Sequence, residues 1–262
     1  MQTDSYFFIG KTHSICQDYA TSNHNSIVVC DGCSGSENSD FGSRILANLF
    51  IKTGINFNGL YEEDYIELLA IIRRANVIAD KLSLHNFSLD STVLFAQENE
   101  DTIDVLVIGD GTLVVISEDN KLDITDISFP SGAPRYLNYF NNEERNKQYL
   151  YQFGDVRVIK REDAITMSHD WFYINSIPKK DNKLILLMSD GVHSFQKSVI
   201  TDTGRVNEPI SYKEVIDKVI DIRGFGGKFI ERRLAWFKNK DMVKLGWENL
   251  DDFSISAMFL GN

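Results

Sequence analysis

The chain has 262 residues, 43% of them hydrophobic and 25% charged, which is the balance of an ordinary globular protein. Its net charge of −11 argues against non-specific nucleic-acid binding, which would need a local basic patch. The most apolar stretches are only as long as strands, so we expect no membrane span.

In chain order, the pattern of residue types predicts eight strands and four helices. Short β-branched or aromatic runs predict strands at 6–10, 26–30, 91–97, 104–108, 112–117, 122–125, 184–188 and 254–260. Apolar periodicity predicts helices at 41–52, 61–84, 212–222 and 229–239. The basic region 228–244 is then interpreted as the solvated face of a helix.

Helices in separate blocks between antiparallel strands predict an α+β fold, with a β-sandwich covered by helices. Only four prolines occur and no linker or repeat is visible, so we expect a single domain over residues 1–262. Residues 128–176 have the least regular pattern, and we interpret them as a flap or insertion over one end of the fold.

Cysteine usage and the N-terminal residues predict the compartment. Three cysteines without framework spacing favour a reducing cytoplasm. The first residues lack the basic region and long apolar core of a secretory signal. We therefore expect a cytoplasmic protein, and nothing in the pattern indicates an oligomeric state.

Cys30 and Cys33 have the C-x-x-C spacing of a redox pair or of half a zinc site. Zinc would need a second pair, and Cys16 is the only other thiol. An Asp-Gly pair between the cysteines also suits a redox motif poorly. We therefore interpret Cys30 as a packing residue.

Aspartate follows a short apolar run at five places along the chain. These positions are Asp18, Asp31, Asp110, Asp190 and Asp251. Each alone is typical of a strand-ending turn. If several meet, like charges about 4 Å apart repel by roughly 4 kcal/mol at an effective dielectric of 20, so the cluster needs a cation. Oxygen ligands without histidine or cysteine favour Mg²⁺ or Mn²⁺ over zinc.

The ordered set of acidic motifs resembles the metal-dependent type 2C (PPM) protein serine/threonine phosphatases, in a bacterial-type form. The set consists of Gln17-Asp18, Asp31-Gly32, Asp90-Ser91-Thr92, Gly109-Asp110-Gly111, Ser189-Asp190-Gly191 and Asp251-Asp252. The resemblance extends from about residue 10 to the C-terminus. It implies two antiparallel sheets flanked by helices on both faces, in α-β-β-α layers. It also implies a hydrolase that dephosphorylates phosphorylated proteins with two Mn²⁺ or Mg²⁺ ions.

This resemblance also implies roles for individual residues. Asp31 would bridge two metal ions, and Gly32 would offer its carbonyl oxygen to one of them. Asp190 and Asp251 would complete the coordination of the other ion, and Asp18 would support the site from nearby. The two ions would hold a hydroxide that attacks phosphorus in line, so no serine or cysteine nucleophile is needed.

Four positions depart from the pattern of the family. Many members have an arginine that grips the substrate phosphate where this chain has His13, which could donate to phosphate but not as a bidentate fork. Gln17 replaces an acidic residue, and Cys33 stands where some members have histidine. Asp110 matches a residue associated with a third, weaker metal, but the usual partner of that residue is here Ser194.

The departures support an alternative hypothesis from another functional class. A phosphatase-like module with weak or no catalysis could bind a phosphorylated or protein partner without turnover. The enzyme and the module differ in metal-dependent phosphate release.

Overall fold

Two antiparallel sheets, packed face to face, form the centre of the structure. The computed structural model describes residues 1–57, 65–202 and 204–261. Within these ranges the strands are β1 (Gln2–Phe8), β2 (Asp18–Ser22), β3 (Ser26–Asp31), β4 (Val93–Glu98), β5 (Thr102–Ile108), β6 (Gly111–Ser117), β7 (Leu122–Ser128), β8 (Arg157–Lys160), β9 (Ile165–Ser168), β10 (Tyr173–Pro178), β11 (Asn182–Met188), β12 (Phe195–Thr201), β13 (Gly204–Pro209), β14 (Trp247–Asn249) and β15 (Phe253–Phe259).

Helices follow the strands in three blocks. They are α1 (Ser39–Thr53), α2 (Ile66–Lys81), α3 (Glu143–Phe153), α4 (Tyr212–Val219), α5 (Phe229–Trp236) and α6 (Met242–Leu245), with a π-helical turn at Phe237–Asp241 between the last two. None of the helices in the described ranges is long and apolar enough to cross a membrane.

The strand order places consecutive and distant segments side by side. The larger sheet has the order β1-β15-β11-β6-β7-β8-β9, and the smaller sheet has the order β10-β5-β4-β3-β2. A three-stranded sheet has the order β13-β12-β14. Ser256 in the larger sheet donates a buried hydrogen bond of 2.8 Å to the Val28 carbonyl in the smaller sheet.

Apolar side chains fill three layers around the two sheets. Val29, Val107 and Leu187 belong to the layer between the sheets. Helices α1 and α2 cover the outer face of the smaller sheet, and helices α4 and α5 cover the outer face of the larger sheet. The α+β sandwich with helices on both faces is confirmed.

Strand β3 shows how the layers follow from the residue pattern. Its central residues are buried on alternating sides: Ile27 and Val29 face the other sheet, whereas Val28 and Cys30 face the helices. Because both faces are covered, the strand is a continuous apolar run, without the alternation of a half-exposed strand. The packing role predicted for Cys30 agrees with this position.

The predicted strands and helices all have counterparts within the described ranges, with shifted ends. The helix predicted at 61–84 corresponds to α2, and residues 61–64 lie outside the described residues. The segment 128–176 is more regular than expected, because it contains α3 and three strands. Of these strands, β8 and β9 extend the larger sheet, and β10 forms an edge of the smaller sheet.

We predict that Gly42→Ala destabilises the protein, although alanine is normally the better helix former. A Cβ atom at Gly42 in α1 would lie 1.6 Å from the carbonyl oxygen of Ser88. We expect the free energy of unfolding to fall by about 1–3 kcal/mol in urea denaturation. Gly224→Ala is the matched control, because a Cβ there meets nothing within 4 Å. Equal stability of the two variants would contradict the close packing of α1.

Candidate active site

Strand ends converge at one edge of the sandwich, where they form a cavity of about 370 Å³. Asp31 ends β3, Asp110 lies in the turn between β5 and β6, and Asp190 follows β11. These three residues line the cavity together with Asp251, Gly32 and His13. The structure thus brings six of the seven predicted site residues to one cavity.

The seventh residue, Asp18, lies behind this cavity. It faces Asp31 directly in the register of β2 and β3, and its side chain is buried. Ser189 donates a hydrogen bond of 2.7 Å to its carboxylate. Burial raises the pKa of Asp18 to about 7, although hydrogen bonds from Ser254, Asp31 and Ser189 oppose this shift. The buried carboxyl of Asp18, directly opposite that of Asp31, therefore favours its uncharged form more than a free aspartic acid does.

Three of the carboxyls that line the cavity have raised pKa values for a common reason. Burial is the largest cause for Asp31, Asp110 and Asp251, and the charge of Asp190 adds to it in each case. Asp31 also hydrogen bonds to the carboxyls of Asp190 and Asp18. Oxygen donors crowded in this way need either protons or a cation to offset their repulsion.

Within the described ranges, no three His, Cys, Asp or Glu side chains are already grouped as a set that could hold a metal ion. The carboxyls hydrogen bond to one another instead. The donor type nevertheless fits a hard divalent cation, because every candidate ligand atom is an oxygen. A bound ion would supply the positive charge that offsets the repulsion of these carboxyls.

Gly32 is required by the close approach of neighbouring backbone. A Cβ atom there would lie 2.7 Å from the carbonyl oxygen of Ser39 at the start of α1. The Gly32 N–H also donates to the Gln17 carbonyl at 3.2 Å. Packing alone therefore explains the glycine, and the metal role of its carbonyl stays a prediction.

Asp252 is the residue that sequence reasoning missed. One carboxylate oxygen accepts a hydrogen bond of 2.8 Å from the Gly10 N–H, and the other accepts one of 2.6 Å from the Gln17 N–H. The Nδ1 atom of His13 lies 3.1 Å from the second oxygen. The only signal in the sequence was a second acidic residue before a strand, in the pair Asp251-Asp252.

The imidazole of His13 is held between two carboxylates. Besides its contact with Asp252, its Nε2 atom lies 3.5 Å from the carboxylate of Asp251. Burial lowers the pKa of His13, but the charges of Asp252, Asp251 and Asp18 outweigh this effect and raise it. The ring therefore presents a positive charge to the cavity when it is protonated.

The segment 128–176 forms one wall of the cavity. Its lining residues are mostly aromatic: Tyr136, Tyr139, Tyr149 and Phe153. Arg145 in α3 makes a bidentate ion pair with buried Asp90, at 3.1 and 2.7 Å, and Asn138 donates to the same carboxylate at 2.7 Å. The segment is thus attached to the cavity edge by a buried charged group.

The residues that depart from the family pattern have their own local contacts. The side-chain amide of Gln17 donates to the Ser39 hydroxyl at 2.8 Å, and the Ser194 hydroxyl donates to the Gly191 carbonyl at 2.8 Å. Cys33 lines the cavity next to Tyr136, and all three cysteines are free. Neither Gln17 nor Ser194 is aimed at the cavity as a ligand.

A family model described as Protein phosphatase 2C matches residues 10–222. A comparison of the sequence with curated proteins found no match.

Solved structures of phosphatases have a similar fold. A bacterial serine phosphatase has a TM-score of 0.58 and 14% identity, over 100% of this chain and 98% of that one. The Mycobacterium tuberculosis serine/threonine phosphatase PstP/Ppp has a TM-score of 0.55 and 14% identity, over 100% and 99% of the two chains. The catalytic domain of the serine threonine protein phosphatase PstP, in complex with 2 manganese ions, has a TM-score of 0.52 and 14% identity, over 98% and 96%. At this identity the likeness shows the fold.

We predict that the metal-free protein loses stability as the pH rises from about 4 to about 7. A carboxyl whose folded pKa lies above its unfolded value binds more protons in the folded state, so stability falls with rising pH across that window. Asp18 and Asp31 act in this direction, and the raised pKa of His13 does so too. Melting temperatures in chelator should be lower at pH 7.5 than at pH 5, and Asp18→Asn should reduce the difference. A melting temperature that rises over this range would contradict the buried, crowded carboxyls.

We predict that Asp252→Asn destabilises the protein by about 1–3 kcal/mol. The NH2 group of the new side chain cannot accept a hydrogen bond, so one of the two backbone N–H groups loses its acceptor. Both carboxylate oxygens of Asp252 accept backbone hydrogen bonds, and the residue is 2% exposed. The matched control is Asp251→Asn, since Asp251 is half-exposed. Urea denaturation should rank Asp252→Asn below Asp251→Asn, and the reverse order would show that Asp252 does not hold these segments.

Proposed function

Since the chain belongs to the protein phosphatase 2C family and is thereby a protein serine/threonine phosphatase, we propose that it hydrolyses phosphomonoesters on proteins with Mn²⁺ or Mg²⁺ as cofactor. The observation that carries the proposal is the convergence of Asp31, Asp190 and Asp251 on one cavity. Two divalent ions, when bound, supply an activated hydroxide and neutralise the charge of the phosphate.

The residues that would hold the ions are those with oxygen donors at the cavity. Asp31 would bridge the two ions, with the Gly32 carbonyl on one side and Asp190 and Asp251 on the other. Asp18 supports Asp31 from behind, through the hydrogen bond across β2 and β3. The raised pKa values of Asp18, Asp31 and Asp251 support this assignment, because a bound cation would stabilise the charged forms that burial disfavours.

Asp110 is the proposed ligand of a third, weaker ion. It lines the cavity, and the charge of Asp190 contributes to its raised pKa. Asp126 lies further from the cavity, where its buried carboxylate accepts from Thr112 at 3.1 Å and contacts His193 at 2.8 Å. The Ser194 hydroxyl donates to the Gly191 carbonyl, so Asp110 rather than Ser194 would be the main ligand of the third ion.

His13 is the proposed contact for the substrate phosphate. Its imidazole lines the cavity and is kept in place by Asp252 and Asp251. A protonated imidazole would donate to a phosphate oxygen and add positive charge where negative charge develops in the transition state. Asp252 would orient the ring without touching the substrate.

The remaining assignments concern the whole chain. Residues 1–262 act as a single phosphatase domain in the cytoplasm, and residues 128–176 act as a flap whose aromatic side chains border the cavity. The substrates are phosphorylated proteins, and nucleic acid and membranes are not partners. The net charge of −11 supports the exclusion of nucleic acid.

The second candidate function is a binding module without turnover. It is favoured by His13, which stands where a bidentate arginine would grip phosphate more firmly. Gln17 also lowers the number of carboxylates at the cavity edge, and weaker ion binding would follow from the lower negative charge.

We predict that the purified protein releases phosphate from a phosphopeptide and from a chromogenic phosphomonoester in the presence of Mn²⁺, but not in chelator. Asp31→Asn should lower kcat/KM by more than about 100-fold, since even changes behind a metal ligand cost about 10–100-fold. Asp123→Asn, at an exposed position on β7, is the matched control and should retain activity.

Absence of turnover by the wild type, together with a rise in its melting temperature on adding Mn²⁺, would favour the binding module. Loss of activity in Cys33→Ser with Asp31→Asn unaffected would overturn the proposed metal mechanism.

A further inference from the structure

A second concave surface is formed by residues that lie in the chain between Asp190 and Asp251 but do not line the acidic cavity. Between α4 and α5, the loop at 221–228 and the first turns of α5 enclose an open groove of about 420 Å³. Ile222 and Phe229 form part of its lining, and Trp236 forms an aromatic wall. Trp236 is 58% exposed, which is unusual for so large an apolar side chain.

The groove is lined by three arginines and one aspartate, Asp221, and the segment that follows Asp221 is basic in a strongly acidic protein. Seven basic and two acidic residues lie between Arg223 and Lys244, whereas the whole chain carries a net charge of −11. Arg223 lines the groove and has no hydrogen-bond or ion-pair partner among the described residues. Arg232 donates only to the backbone carbonyls of Gly226 and Gly224, so its charge is not neutralised by a carboxylate there.

Two other basic side chains near the groove are already paired with carboxylates. Arg233 is buried and pairs with Asp241 at 2.7 Å, and Lys228 pairs with Glu231 at 2.6 Å. The accessible positive charge is therefore concentrated at Arg223 and Arg232, next to the Trp236 ring. An acidic segment that also carries an apolar side chain would be complementary to this combination.

A basic residue that follows α5 contacts the end of β1. The ammonium of Lys238 lies 5.0 Å from the ring centroid of Phe8. Phe8 is the last residue of β1, and the Gly10 N–H two residues later donates to Asp252. The residues after α5 therefore pack beside the strand end from which the segment that holds His13 continues.

We propose that the groove between Asp221 and Trp236 is a docking site for an acidic segment of the phosphoprotein substrate, outside the phosphorylated residue itself. This inference rests on the proposed phosphatase function for the role of the bound protein. The groove favours a peptide over a lipid surface because Trp236 forms the wall of a concavity, which a peptide side chain can enter and a flat bilayer cannot. An anionic bilayer would instead select an apolar face with only basic residues around it.

The test compares two phosphopeptides that share the phosphorylated residue and differ in one flank. One flank carries several acidic residues and a leucine, and the other carries neutral residues. The acidic peptide should have a KM about ten-fold lower, with similar kcat, and high salt should remove most of this difference because exposed charges are screened.

Trp236→Ala should raise the KM of the acidic peptide by about ten-fold or more, as expected for a central aromatic contact. Arg223→Ala should raise it about three-fold, in line with an exposed ion pair. Neither variant should change hydrolysis of the chromogenic phosphomonoester. Arg73→Ala, at an exposed position of α2 over the other sheet, is the matched control and should leave every parameter unchanged.

Direct binding separates failure of the docking site from failure of the proposed function. An unphosphorylated peptide with the acidic flank should bind the wild type and bind Trp236→Ala at least about ten-fold more weakly, even if no turnover is found. Equal affinity for both proteins would overturn the docking site. So would co-sedimentation with phosphatidylserine vesicles in place of peptide binding, or a dimer that Trp236→Ala dissociates.

Discussion

Crowding of carboxyls at one end of the sandwich is the constraint on which the rest of the site depends. Asp18, Asp31 and Asp190 approach one another because the strands that carry them end at the same edge. Burial favours the neutral forms, and the charge of Asp252 adds to this effect at Asp18, as the charges of Asp18 and Asp190 do at Asp31. The pKa values of Asp18 and Asp31 are therefore raised. A fold that retains such a group of acids without basic partners is one in which a cation is the natural counter-charge.

Asp252 shows that the same edge can also accommodate a carboxylate in another way. Its two oxygens accept backbone hydrogen bonds from segments near residues 10 and 17, and His13 lies beside it. Its oxygens therefore already have hydrogen-bond partners within the protein. The two acids of the pair Asp251-Asp252 therefore differ in role: one faces the cavity, and the other joins β15 to the segment that carries His13.

Much of the fold follows from residues whose burial does not depend on distant partners. Strand β3 is recognisable because it is apolar on both faces. Strands β8 and β9 are not, because their pattern is inverted: Arg157 in β8 is 1% exposed, whereas Ile165 and Met167 in β9 are 70% and 69% exposed. Hydrophobic periodicity fails where an arginine is inside and apolar residues are outside.

The residues of the candidate site likewise divide into those with a local sequence signal and those without one. Each carboxyl that lines the cavity follows or precedes its own apolar strand, so the local pattern marks its position, and the order of the motifs along the chain then relates these positions to one another. Asp252 depends on backbone donors about 240 residues away in the chain, and Asp90 depends on Arg145 in the segment with the weakest pattern. No local signal encodes such pairs, because the partners meet only after the sheets have formed.

Asp90 also joins the aromatic wall to the cavity edge. Its carbonyl accepts the Cys33 N–H at 2.9 Å, while its carboxylate holds Arg145. Because the Asp90 side chain is buried, moving α3 away would leave this carboxylate without its positive partner, which is unfavourable. The aromatic residues of the segment 128–176 are therefore tied to the loop after β3, which places Gly32 and Cys33 at the cavity.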